Sequence, residues 1–187
     1  DFHQVLKQLS ILVSEGHEFT VEAGRPDSVN PTKLRSMLDL GVNRISINPQ
    51  TMQDDILRRI GRGHSARDID ELLQYVKANT SLAVNMDFIA GLPHQTMQNM
   101  IENMDYVCQN LPENVTIHTL ALKRGSPLYD LNMQDDIPEE HLVAEMVQYG
   151  KERLEAAGYV PYYLYRQQYM RGDRKSTRLN SSHITRS

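Results

Sequence analysis

Cysteine is almost missing from this chain: Cys108 is the only one in 187 residues. A lone cysteine excludes a disulfide framework and suits a reducing, cytoplasmic setting. Long apolar runs are missing as well. None approaches the roughly 18–20 residues of a membrane-spanning helix, so no transmembrane segment is expected. The first residues, Asp1-Phe2-His3, carry neither an initiator methionine nor the basic stretch of a secretory signal. The chain is therefore expected to start inside a longer protein. Hydrophobic residues make up 40% of it, enough for one packed domain.

The last stretch differs from the rest. Asp173-Arg-Lys-Ser-Thr-Arg-Leu-Asn-Ser-Ser-His183 has no apolar periodicity. It looks like the in-frame translation of a sequencing adapter. Residues 173–187 are accordingly read as a non-native, disordered tail behind a unit spanning 1–172. Outside the tail stand 16 basic and 23 acidic residues, a net charge of −7, with no polybasic patch. Binding of nucleic acid through phosphate neutralisation is not expected.

Before the tail, apolar runs alternate with helical patterns. Strands are predicted at Glu18–Ala23, Arg44–Asn48, Leu82–Ile89 and Val115–Leu122. Helices are predicted at 2–13, 31–40, 52–60, 66–79, 96–110 and 138–157. Pro31 suits a first helical turn, Ser65 an N-cap and Gly158 a C-cap. Tyr159–Tyr169 is aromatic and reads as extended. A spacing of roughly 30 residues between strands is the βαβ signature of an α/β fold with a parallel sheet. The strands read as near-continuous apolar runs, as in sheets covered on both faces.

In β/α barrels the working residues lie at the C-terminal ends of the strands. Those positions here are Glu22, Asn48 with Gln50, Asp87, and Ala121 with Lys123 just beyond. Arg62 follows in the turn Ile60-Gly-Arg-Gly-His-Ser65. Two carboxylates, amides and a guanidinium suit a small zwitterionic, polyol-bearing ligand. A carboxylate accepts the hydroxyls of a ribose, a guanidinium grips a carboxylate bidentately, and a second carboxylate holds an ammonium.

Four segments occur in order: Phe19-Thr-Val-Glu-Ala-Gly-Arg-Pro26, Asn43-Arg-Ile-Ser-Ile-Asn-Pro-Gln-Thr51, Ile60-Gly-Arg-Gly-His-Ser65 and Asn85-Met-Asp-Phe-Ile-Ala-Gly-Leu-Pro93. Together they resemble the radical S-adenosylmethionine enzymes, in particular the oxygen-independent coproporphyrinogen III oxidases. Glu22–Asp27 and Tyr162-Tyr-Leu-Tyr-Arg-Gln-Gln168 resemble the HemZ-like branch. The resemblance spans 1–172 and implies the second half of a (β/α) barrel, with about four parallel strands and flanking helices.

It also implies that Glu22 serves one S-adenosylmethionine subsite. Gln50, Arg62, Asp87 and the backbone of Ala121 would serve another. The implied reaction is oxidative decarboxylation of coproporphyrinogen III propionates to vinyls in anaerobic haem biosynthesis. An iron–sulfur [4Fe–4S] cluster would cleave S-adenosylmethionine, with electrons from a donor the sequence does not identify. The cluster needs thiolates, and the family's CxxxCxxC loop is expected before Asp1. This segment alone is thus expected to be inactive. A haem-binding chaperone of the related branch is the alternative reading. A non-catalytic half-barrel, or an unrelated barrel aldolase or isomerase for which Lys123 is the only candidate, stands further off.

Neighbouring residues also have plainer readings. His64 reads as a hydrogen-bonding residue at a helix entry rather than a metal ligand, and His118 as structural. Cys108, among Met104, Val107 and Leu111, reads as a packing residue. Met97, Met100 and Met104 read as core or helix surface. Arg166 either pairs with a porphyrin carboxylate or belongs to an edge strand packed on the barrel.

Overall fold

The computed structural model describes residues 2–14, 16–121, 136–166 and 180–186; for 162–166 and 180–186 only the backbone is described. Four strands, β1 (Thr20–Glu22), β2 (Arg44–Gln50), β3 (Ala83–Ala90) and β4 (Asn114–Thr119), lie side by side in chain order. All three pairings between them are parallel. α1 (Phe2–Ser10) precedes β1, and the helices between the strands are α2 (Pro31–Asp39), α3 (Asp54–Arg59), α4 (Ala66–Asn79) and α5 (Met97–Asn110). A further helix, α6 (Glu140–Ala156), leads into β5 (Tyr159–Arg166). This is the parallel α/β arrangement predicted from the spacing of the strands.

Local chemistry sets three of the helix starts. Asn30 caps α2 by accepting the Lys33 N–H, with Pro31 in the first turn. Ser65 and Asp68 exchange side-chain and backbone hydrogen bonds at the start of α4, and Thr96 with Asn99 does the same at α5. Such reciprocal caps satisfy backbone N–H groups that the first helical turn leaves without partners. α1 stops at Ser10, three residues earlier than its apolar pattern predicts, and Ile11 and Leu12 are exposed.

The two faces of the sheet differ. On β3, Val84, Met86, Phe88 and Ala90 are fully buried, whereas Ala83, Asn85, Asp87 and Ile89 are only half-buried. The first set packs under the helices. α4 contributes Ile69, Leu73 and Val76, and α5 contributes Met100, Met104 and Val107. α6 approaches so closely at Gly150 that a Cβ there would lie 2.5 Å from Ile117 Cδ1 and 2.8 Å from Met100 Cε. The half-buried set forms the inner face, and it carries the polar pair Asn85 and Asp87. The expectation of strands apolar on both faces therefore holds for the helix-covered side alone.

The tail is the main correction to the sequence reading. Asn180–Arg186, expected to be disordered, forms a strand, β6, antiparallel to both β4 and β5. The sheet order is β1-β2-β3-β4-β6-β5. The reason is the edge of β4. An edge strand presents a row of unpaired N–H and C=O groups that any extended segment can meet, and Ile184-Thr185 is β-branched and strand-prone. Composition alone could not reveal that a pairing edge lay within reach.

Candidate functional site

Because β1 to β4 run parallel, their C-terminal ends share one rim. Glu22 ends β1 and pairs in register with Ser46. It is exposed, and Asn48 Nδ2 donates to its Oε2 at 3.5 Å. Gln50 ends β2 beyond an irregularity in the β2–β3 ladder, with a left-handed backbone at φ 68°. That conformation is uncommon for a residue with a side chain. Gln50 is buried, and its Nε2 donates to the Asn48 carbonyl at 3.4 Å.

Asp87 lies on the inner face of β3 and is held by its neighbours. Asn85 Nδ2 donates to Asp87 Oδ1 at 2.8 Å and lies 2.8 Å from Ser46 Oγ on β2. The Thr116 hydroxyl on β4 donates to Asn85 Oδ1 at 3.4 Å. His118 Nε2 lies 3.9 Å from Asp87 Oδ2. Burial by itself pushes the Asp87 carboxyl up. His118, Asn85 and Thr116 more than offset it, so the group sits below the ordinary carboxylate range and is ionised at neutral pH.

Arg62 occupies the turn between α3 and α4, where its backbone N–H donates to the Leu57 carbonyl at 2.9 Å. The side chain is half-buried. Burial first, and then the Arg25 guanidinium, lower its pKa from the ordinary arginine value. Arg25 follows β1 by three residues, so the turn is folded against the rim. Among the described residues no carboxylate lies within ion-pair distance of Arg62, whereas Arg25 pairs with Asp27 at 3.8 Å. A desolvated guanidinium beside a second one, without an anion, is suited to receiving a carboxylate.

His64, in the same turn, is 7% exposed, and no hydrogen bond of good geometry reaches either ring nitrogen. The reading of His64 as a hydrogen-bonding residue at the helix entry is thus corrected. Ser65 performs that role. Burial and then Arg62 push the imidazole's pKa down, outweighing Asp27, Asp68 and the nearby Pro49 carbonyl.

Ala121 lies two residues past β4 and is half-buried; next to it, the Leu120 N–H donates to the Ala90 carbonyl at 2.9 Å. Arg166 ends β5 opposite Asn180, with β6 between its strand and β4. Its side chain, like Lys123 and Gln167-Gln168, lies outside the described residues.

The structure therefore brings Glu22 and Asp87 to one inner face, with Gln50 and Ala121 at the same rim and Arg62 folded onto it. It adds Ser46, Asn85, Thr116 and His118, which sequence reasoning left out. The signal was present: Asn85-Met86-Asp87 and Thr116-Ile117-His118 each place two polar residues at period two within an apolar strand. Cys108 is half-buried on α5, and burial pushes its thiol up. Among the described residues no group of three or more His, Cys, Asp or Glu side chains could hold a metal ion. No helix among them is long and apolar enough to cross a membrane.

Comparisons with known proteins agree with this fold. The model of the radical SAM superfamily matches residues 1–107. The chain is 34% identical over 156 residues to the oxygen-independent coproporphyrinogen-III oxidase-like protein HemZ of Bacillus subtilis, covering 83% of this chain and 31% of that one. It is 29% identical over 162 residues to the heme chaperone HemW of the same organism, covering 86% and 41%. Among solved structures, the coproporphyrinogen III oxidase HemN of Escherichia coli superimposes with a TM-score of 0.77 at 19% identity, covering 98% of this chain and 39% of that one. The chain spans less than half the length of these relatives.

Proposed function

The chain belongs to the radical SAM superfamily, and from that premise we propose that it is the cofactor-gripping part of an oxygen-independent coproporphyrinogen III dehydrogenase. Enzymes of this family work with S-adenosylmethionine and a [4Fe–4S] cluster. The reaction is oxidative decarboxylation of two propionate side chains of the porphyrinogen to vinyl groups.

The observation that carries the reading is the ionised Asp87 carboxylate on the inner face of the sheet, held by donors from its own strand and from β4; Arg62, in the turn after α3, supports it. Arg62 is a half-buried cation with no anion of its own, and Asp87 is an ionised carboxylate already supplied with donors. Arg62 would bind the carboxylate of S-adenosylmethionine bidentately, and Asp87 would accept its ribose hydroxyls. Gln50 and the backbone of Ala121 belong to the same subsite, and Glu22 to a second. When bound with the cluster, the cofactor supplies the radical that starts propionate oxidation. The chain's own part is to bind, orient and exclude water.

The cluster does not fit the residues present. Its irons need thiolates, and Cys108 stands alone on a helix with a raised pKa. Its ligands are assigned to a part of the protein outside this segment, so the segment by itself would be inactive. The electron donor is left unassigned, a cytoplasmic location belongs to the same reading, and no role is given to Arg166 beyond a candidate contact with a substrate carboxylate. Residues 173–187 are still read as adapter-derived, and β6 is given no function.

The similarity to HemW supports a second reading, a haem-binding chaperone. The experiment that separates the two uses the complete polypeptide bearing the cluster loop, reconstituted anaerobically. Porphyrinogen decarboxylation with release of 5′-deoxyadenosine supports the dehydrogenase. Stable haem binding without turnover assigns the protein to the chaperone reading.

A further inference from the structure

Asp87 does not meet its ligand alone. Its Oδ1 accepts the Asn85 amide at 2.8 Å, and its Oδ2 faces His118 Nε2 at 3.9 Å. Both side chains of the second pair are largely buried, at 16% and 23% exposure. The two residues reach each other because β3 and β4 are in parallel register. Asp87 pairs with Thr116 and Ile89 with His118, so His118 lies one inner-face position further toward the rim. Asn85 is itself fixed from both sides, by Ser46 on β2 and Thr116 on β4. The carboxylate is thus steered from two strands.

An ionised carboxylate has about four acceptor positions, two on each oxygen. Asn85 takes one on Oδ1, and His118 covers one side of Oδ2. Thr116 is a further neighbour that favours the charged carboxylate. Two carboxylate oxygens side by side match the two hydroxyls of a vicinal diol.

We propose that His118 is a positioning residue, which orients the Asp87 carboxylate so that both oxygens receive the ribose hydroxyls of S-adenosylmethionine. The proposal rests on the reading that Asp87 holds that ribose. His118 does not touch the reacting atoms; it acts through Asp87. An aromatic ring of similar size without a donor would fill the same space and leave Oδ2 without its partner. Glutamine would restore a donor from β4 with a different shape.

The test is a binding comparison in the complete polypeptide bearing the cluster loop, with S-adenosylmethionine and its 2′,3′-dideoxyribose analogue as probes. His118→Phe should weaken S-adenosylmethionine binding about tenfold, because the ribose then meets a carboxylate that is no longer aligned, and each hydrogen bond to a charged group is worth about that much. Its affinity for the dideoxy analogue should not change, because that ligand has no diol to align. His118→Gln should recover most of the affinity for S-adenosylmethionine. Equal loss of both ligands in His118→Phe would mean that the ring only packs, and would overturn the proposal. Asp87→Asn separates the two levels of the argument. If Asp87→Asn loses S-adenosylmethionine while His118→Phe binds like the parent, the positioning role is wrong and the Asp87 reading stands. If neither variant loses binding, the reading of Asp87 fails and the proposal fails with it.

Discussion

Asn103 Oδ1 accepts the Met52 backbone N–H at 2.8 Å, tying the middle of α5 to the connection that follows β2. Asn103 is fully buried, and its Nδ2 donates to Thr51 Oγ1 at 3.2 Å. Thr51 in turn donates to Gln53 Oε1. These bonds fix the two residues after Gln50, whose left-handed backbone ends the strand. The site residue is thus held by a helix that carries none of the site itself.

Asn103→Leu keeps the volume but removes both hydrogen bonds, leaving the Met52 N–H without its partner and the Thr51 hydroxyl with Gln53 alone. Such groups cost about 1–3 kcal/mol when buried without a partner. The midpoint of urea unfolding should fall accordingly. S-adenosylmethionine binding by the complete polypeptide should weaken as well, because Gln50 loses its support. An unchanged midpoint would show that the α5 tie is dispensable.

Asp87→Asn preserves shape but removes the charge that receives the ribose hydroxyls. A hydrogen bond to a charged group contributes about 1.5–3 kcal/mol, so affinity for S-adenosylmethionine should fall roughly ten- to hundredfold. The absorbance of the reconstituted cluster should persist, since its ligands lie elsewhere. Equilibrium binding and the visible spectrum, measured on one sample, check both halves.

Arg62→Lys tests geometry rather than charge. An ammonium keeps the positive charge beside Arg25 but cannot present the two parallel N–H groups of a guanidinium. Binding and 5′-deoxyadenosine release should both drop substantially. Full activity in the lysine variant would reduce Arg62 to a general positive potential and shift the carboxylate contact to another group.

The strands and their order were legible because each is an apolar run bounded by turn residues, and a charge inside one of them, Asp87, stands out. Helix starts were legible at Pro31 and Ser65, a first-turn proline and a capping residue followed by helical periodicity, whereas the caps at Asn30 and Thr96 emerge from the structure. Other features depend on what lies opposite in space. His118 looks structural along its own strand, and only the register of β3 against β4 brings it to Asp87. The burial of His64 without a hydrogen bond follows from the packing of its turn, not from its neighbours in sequence. The pairing of Asn180–Arg186 required knowing that the edge of β4 lay within reach.

The buried imidazole of His64 leads to a prediction about pH. In the unfolded chain it should take up a proton near pH 6.5. In the folded chain burial and Arg62 oppose the charged form, with Asp27 and Asp68 only partly compensating. Between the two pKa values the unfolded state binds more protons than the folded one, so stability must fall as pH drops. His64's penalty is absent well above pH 6.5, begins as pH falls through the unfolded value, and levels off once the folded form is also protonated. His64→Gln removes the titrating group while keeping a polar side chain. Thermal melts of parent and variant from pH 8 down to pH 5 give the difference curve. That curve should be flat at the alkaline end, with the variant gaining relative to the parent below about pH 6.5. Parallel melting curves across the whole range would show that His64 accepts a proton in the folded protein as readily as in water, which its burial and the adjacent guanidinium argue against.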